Sequence, residues 1–147
     1  MRLTRFTEYS LRVLMVLGLL PDRLVTIDDI ARRYGISHDH LRKIVHQLSC
    51  LGYIETVRGK RGGLRLARAP EEINLGQVVR DFEADMELAE CFASEPTNCP
   101  VESCCRLQPV LRDALAAFLD VLDGYTLSDL LHPRRRLLRL LEGGAAR

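Results

Sequence analysis

Four of the chain's five cysteines, Cys91, Cys99, Cys104 and Cys105, fall within the short segment CFASEPTNCPVESCCRL. Thiolates are soft ligands and nucleophiles, so such a cluster suits metal binding or redox chemistry. A loop containing Pro96, Asn98 and Pro100 offers little hydrophobic cover for inert thiols. A zinc ribbon wants two close pairs of ligands, and the adjacent Cys104 and Cys105 do not easily both reach one tetrahedral ion, which weakens zinc without excluding it. Three thiolates, Cys91, Cys99 and Cys105, with seven and five residues between them, can wrap a larger object of the iron-sulfur type. Gathering them beside Glu87, Glu90, Glu95 and Glu102 is unfavourable unless a cationic metal is bound. A metal-free disulfide switch that senses oxidants also stays open on spacing alone. Cys50 lies in a helical pattern and is expected to face inward as a packing residue.

A second set of residues points to a polyanion. Residues 1–70 hold 13 Lys/Arg against 6 Asp/Glu, a net +7, while residues 71–147 hold 8 against 14, a net −6, so the formal +1 hides a basic half and an acidic half. In SHDHLRKIVHQL the candidate DNA contacts are Ser37, His38, His40, Arg42 and Lys43, near the start of what reads as a recognition helix. His46, later in that segment, reads as an ordinary exposed polar residue. In the stretch RGKRGG, Arg58, Lys60 and Arg61 surround glycines that let the backbone approach a duplex, and Arg65 can add to the same field.

The elements that must position these groups are legible from periodicity. Apolar Leu3, Phe6, Leu11, Leu14, Met15 and Leu17 suit a first amphipathic helix capped by Thr4 or Thr7 and closed by Pro21 and Asp22. A second helix starts at Thr26, with Asp28 and Asp29 in its positive first turn, and ends at Gly35. A third starts at Ser37 and carries Leu41, Ile44, Val45, Leu48 and Leu51 on one face until Gly52. The pattern then switches to period two around GKRGG, which predicts a β-hairpin directly after a helix-turn-helix: a wing.

Pro70, Glu71 and Glu72 mark a boundary between a DNA-binding domain, residues 1–70, and a second part, residues 71–147. There, Leu75, Val78, Val79, Phe82 and Met86 read as one helical stripe. Residues 106–123 form a long helix with two adjacent apolar stripes, a sector wide enough to require a second subunit. A last helix begins near Thr126 or Ser128, and the arginine-rich run RRRLLRLL beyond Pro133 can touch DNA, although a solvated face with leucines against the dimerisation helix is the preferred reading. The fold class is thus mainly α with a small β-hairpin wing, a winged helix-turn-helix plus a long dimerisation helix.

With 147 residues, of which 47% are apolar, the chain can build a core. Glu8, Arg12 and the lack of a small-residue cleavage site argue against a signal peptide, and the apolar stretch Val13 to Leu20 is too short to span a bilayer, so a cytoplasmic location is expected. No nucleophile-base set and no phosphate loop emerges, so an enzyme is not expected.

Four stretches resemble a known family: MRLTRFTEYSLRVLM at the start, LGYIETVRGKRGGLRLA at the hairpin, NCPVESCCRL in the cysteine loop and AFLDVLDGYTLSDLL near the end. They are similar to the nitric-oxide-sensing NsrR repressors, within the wider winged-helix family that also holds the iron-sulfur assembly regulator IscR. The resemblance implies a homodimeric repressor holding an iron-sulfur cluster near the subunit interface, 4Fe-4S in preference to 2Fe-2S. Such a protein binds double-stranded operator DNA while the cluster is intact and releases it when nitric oxide attacks the iron. By the same resemblance the ligands fall on Cys91, Cys99 and Cys105, the last chosen over Cys104 because the family's third ligand begins a CRL triplet. Where IscR-like members place a histidine ligand this chain has Gln108, and Glu8 matches a position from which some NsrR members supply a carboxylate to the partner subunit's cluster. A thiol-based switch, or an iron-sulfur regulator of redox or iron status, is the alternative.

Overall fold

The structure is a computed structural model that describes residues 2–92 and 98–143. Its first helix, α1 (Arg5–Leu19), starts where the Thr4 hydroxyl accepts the Thr7 N–H at 3.3 Å. It buries Val13, Leu14, Val16, Leu17 and Leu19. Helix α2 (Ile27–Tyr34) opens with a reciprocal box: the Thr26 hydroxyl accepts the Asp29 N–H at 3.1 Å and the Asp29 carboxylate accepts the Thr26 N–H at 3.3 Å. It closes at Gly35, whose φ of 65° is the left-handed conformation that costs glycine nothing. Two residues later Ser37 caps α3 (His38–Cys50), and Leu41, Ile44 and Leu48 are fully buried against α1 and α2.

The wing follows as predicted. Strands β1 (Ile54–Val57) and β2 (Gly63–Leu66) pair antiparallel, with Ile54 opposite Leu66 and Val57 opposite Gly63. Val25 adds a bridge on the other side of β2, exchanging hydrogen bonds of 3.0 and 2.8 Å with Leu64, which ties the hairpin to the segment before α2. This is the winged helix-turn-helix with a two-stranded sheet.

After a 3-10 turn at Pro70–Glu72 come α4 (Leu75–Phe82), short 3-10 turns at Glu90–Phe92 and Glu102–Cys104, then α5 (Leu107–Asp123), α6 (Leu127–Leu130) and α7 (Arg134–Gly143). The buried cluster runs from the winged helix into this part, taking in Ile73, Val78, Phe82, Leu127 and Leu131. Helix α5 contributes nothing fully buried: Leu107, Val110 and Val121 are about as exposed as charged surface residues, at 62, 61 and 62%. Its C-terminal end is nonetheless sewn to α4 and the residue that caps it. Asn74 Nδ2 donates to the Asp123 carbonyl at 2.7 Å, the Leu75 N–H to the Tyr125 carbonyl at 3.0 Å, and Arg80 holds the Asp123 carboxylate with two bonds of 2.7 and 2.6 Å.

Three sequence expectations are corrected. The stripe read through Met86 is helical only to Phe82; Glu83 turns extended so that its carboxylate accepts the Thr4 N–H at 2.8 Å, and Met86 instead lines a cleft with Leu115 and Phe118 of α5. Cys50 does not face inward. It lies two residues past buried Leu48, about 200° around the helix, and is exposed beside His46, with Sγ 3.7 Å from Nε2. The leucines of α7 are not against the long helix. Leu137, Leu138 and Leu141 pack on the winged-helix core, and α7 lies against α2.

Candidate nucleic-acid interface and thiol loop

The second helix of the helix-turn-helix presents its N-terminal half outward because Leu41, Ile44, Val45 and Leu48 consume the opposite face. His38, His40, Arg42 and Lys43 are all exposed, as is the capping Ser37. Two of them are held in place by acids on the same surface: His38 Nε2 lies 2.6 Å from Asp28 Oδ1, and Arg42 Nη1 donates to Asp39 at 2.8 Å. The His40 ring sits 6.4 Å from that of Tyr9 on α1. Lys43 has no ion pair among the described residues, so its charge is uncommitted.

In the wing, Arg58, Lys60 and Arg61 are exposed and likewise carry no ion pair among the described residues. Arg65 differs, because its guanidinium is spent on Glu55, the residue opposite it across the hairpin, at 2.7 Å. Between recognition helix and wing runs a groove lined by Arg42, His46, Ser49, Thr56 and Arg58. In the sequence His46 reads as an ordinary exposed polar residue, and neither Ser49 nor Thr56 is singled out as a contact. The available signal was spacing, since Arg42, His46 and Ser49 recur at four and three residues along one helix face.

The thiol loop hangs between α4 and α5. Cys91 and Cys105 are half-buried, Cys99 and Cys104 are exposed, and no disulfide joins the described cysteines. Residues 93–97, with Glu95 and Pro96, lie outside the described residues. The two neighbours Cys104 and Cys105 are treated differently: the Cys104 thiol turns back onto its own 3-10 turn, 3.6 Å from the Val101 carbonyl, while Cys105 leaves the turn in an extended conformation. Among the described residues the sulfurs do not converge with other donors on one point. Their chemistry nevertheless fits a soft-metal cluster, three thiols on one loop being the donor type such a group takes. Gln108, in the first turn of α5, donates its amide to the Cys91 carbonyl at 2.8 Å and so fastens the loop's start to the long helix. Glu8 stands on α1, about half exposed, in an ion pair with Arg12 one turn on, whose guanidinium also lies 5.5 and 5.3 Å from the Tyr9 and Tyr34 rings.

Residues 3–133 match the model of Rrf2, described as an iron-dependent transcriptional regulator. The chain belongs to the Rrf2 family. As an Rrf2 protein it is a transcriptional regulator and not an enzyme, which agrees with the absence of catalytic motifs in the sequence. It is 52% identical over 143 residues to the HTH-type transcriptional regulator NsrR of Geobacillus kaustophilus, covering 97% of each chain. The NsrR of Bacillus subtilis is 46% identical over 143 residues, 97% of this chain and 98% of that one. Among solved structures, T. potens IscR superposes with a TM-score of 0.69 at 26% identity, over 89% of this chain and 86% of that one. CymR, the global cysteine regulator of B. subtilis, gives 0.67 at 26% identity, over 88% and 95%. The winged-helix fold expected from periodicity is therefore that of the Rrf2 family, and α7 begins just past its matched segment. No described helix is long and apolar enough to cross a membrane.

Proposed function

We propose that this Rrf2 regulator is a homodimeric repressor that senses nitric oxide through an iron-sulfur cluster, 4Fe-4S in preference to 2Fe-2S. Cys91, Cys99 and Cys105 are its ligands from one chain and Glu8 of the partner subunit completes the set. The observation that carries this reading is the thiol loop fastened by Gln108 to the first turn of a helix that leaves Leu107, Val110 and Val121 exposed along one side. The similarity to NsrR proteins over nearly the whole length supports it.

The cluster, when bound, supplies iron that nitric oxide attacks. The chain's own residues do the rest. Cys91 and Cys105, at the two ends of the loop, would hold the cluster with Cys99, and Glu8 would have to leave Arg12 to serve as a ligand. Gln108 joins the loop to α5 and Arg80 joins α5 to α4, so a change in how the three thiolates are held would be felt in the packing under the winged helix. Pairing of α5 with its copy sets the separation of two reading heads at roughly one turn of DNA. In each head Ser37, His38, His40, Arg42 and Lys43 enter the major groove, while Arg58, Lys60 and Arg61 approach the neighbouring backbone or minor groove.

The test is anaerobic purification followed by a nitric oxide titration, with visible absorbance and binding to the regulator's own promoter read together. Chromophore and binding are expected to be lost in parallel, and Cys91→Ser to have no chromophore to lose while Cys104→Ser keeps it. Colourless, iron-free protein whose DNA binding ignores nitric oxide would sink the reading and favour a metal-free thiol switch.

A further inference from the structure

The run after Pro133 places four arginines, Arg134, Arg135, Arg136 and Arg139, on the last helix. In α7 the leucines Leu137, Leu138 and Leu141 face the core, and Arg134 donates to the Gly18 and Leu19 carbonyls at 3.5 and 2.7 Å, closing the end of α1. The helix is thereby clamped along α2. Its inward face fixes its outward one: at 100° per residue Arg135, Arg136 and Arg139 share a sector of about 100° turned away from the leucines. All three are exposed and have no ion pair among the described residues.

Local helix stability does not call for them. Arg134, Arg135 and Arg136 crowd the first turn, where the helix dipole is positive and cations are disfavoured, and that turn holds no acid. Lysine-free, arginine-only cationic surface with a partly exposed apolar neighbour, Leu140, is suited to an anion with oxygen acceptors in fixed array. The helix beside it, α2, is the one that in helix-turn-helix docking crosses the DNA backbone.

We infer that α7 is an additional phosphate-binding element, with Arg135, Arg136 and Arg139 engaging DNA backbone that flanks the stretch read by α3. This rests on the reading of the chain as a DNA-binding regulator. It adds an element outside the helix-turn-helix and wing. Contacts of this kind carry no base information, so they raise affinity for all duplexes and show in the salt dependence.

The experiment uses the full-length protein and a fluorescent 40-base-pair duplex of random sequence, with affinity measured across a sodium chloride series. Each phosphate contact contributes about 0.9 to the slope of log affinity against log salt. The triple variant Arg135→Gln, Arg136→Gln, Arg139→Gln is expected to flatten the slope by about 2 to 3 for each protomer engaged, and the single Arg139→Gln by about 0.9. A wing variant, Arg58→Gln with Arg61→Gln, is the companion. If the wing variant flattens the slope and neither α7 variant does, the inference is overturned while DNA binding stands. If the wild-type protein shows no salt-dependent binding, both fail together. If the α7 variants leave the slope unchanged but weaken self-association in sedimentation, the arginines serve an acidic face of a second copy and the inference is again overturned.

Discussion

Asp29 shows how much one side chain does in the reading head. Burial works to raise its pKa, but the Thr26 N–H it accepts and the charges of Arg23 and Arg32 outweigh that and leave it below the ordinary 3.8. A folded pKa below the unfolded one means that the stabilisation is complete above the unfolded value and is lost as pH falls through the folded value. Asp29→Asn is therefore expected to remove stability at neutral pH and to make acid unfolding less steep below about pH 4. Urea unfolding at a series of pH values checks this, and an unchanged pH profile counts against it. Opening the same box from the other side, Thr26→Ala costs about 1 kcal/mol. Both residues were legible as a cap in the sequence, because partners three positions apart need no tertiary fold to meet. The outward turn of Cys50 is equally local, since it lies two residues past buried Leu48 on the same helix.

Between elements, the join of α4 to α5 decides how the acidic half is held. Gly76, buried in the first turn of α4, leaves room for the Asp123 carboxylate that Arg80 grips; a Cβ there would run into Asp123 Oδ1. The Arg80 hydrogen bond in turn holds the Asp123 carboxyl below its usual range. Glycine to alanine inside a helix normally adds roughly 1 kcal/mol of stability. Here Gly76→Ala is expected to lower the unfolding midpoint instead, because Asp123 must swing away and release Arg80. A raised midpoint would show that the clamp does not matter. None of this was readable beforehand, since Gly76 and Asp123 lie far apart in the chain. The same holds for Gln108, which the sequence offered only as a missing histidine and which the fold turns into the fastening of the Cys91 carbonyl.

For the molecule as a whole, α5 leaves an exposed apolar row without cover among the described residues. Leu107, Val110 and Val121 sit on the outer face of a helix that buries no residue of its own. Burying such side chains against a copy stabilises by about 1.5–3 kcal/mol for each one fully covered. If α5 pairs with its copy as proposed, Val110→Glu is expected to convert the dimer into monomers in sedimentation velocity and to weaken operator binding by losing the joint engagement of two heads. A dimer that survives the substitution would mean that association uses another face. The charge asymmetry sets the basic winged helix, with 13 Lys/Arg against 6 Asp/Glu in residues 1–70, apart from a net acidic second part that a polyanion would repel.

Caps, turns and strand alternation are short-range, so the winged helix-turn-helix was written in residues 1–70 and folds as its periodicity says. The clustering of thiols was equally plain, because it is a matter of residue type and spacing. Besides the Gly76–Asp123 join, other features needed the folded chain: where α4 stops, which surface the α7 leucines cover, and what Gln108 holds. Each depends on a partner that arrives from another part of the sequence, Thr4 for Glu83, the end of α1 for Arg134 and the Cys91 carbonyl for Gln108. Periodicity tells that a face will be covered; only packing chooses what covers it, because apolar contact is non-directional and the choice is made by the shape and placement of all the other elements.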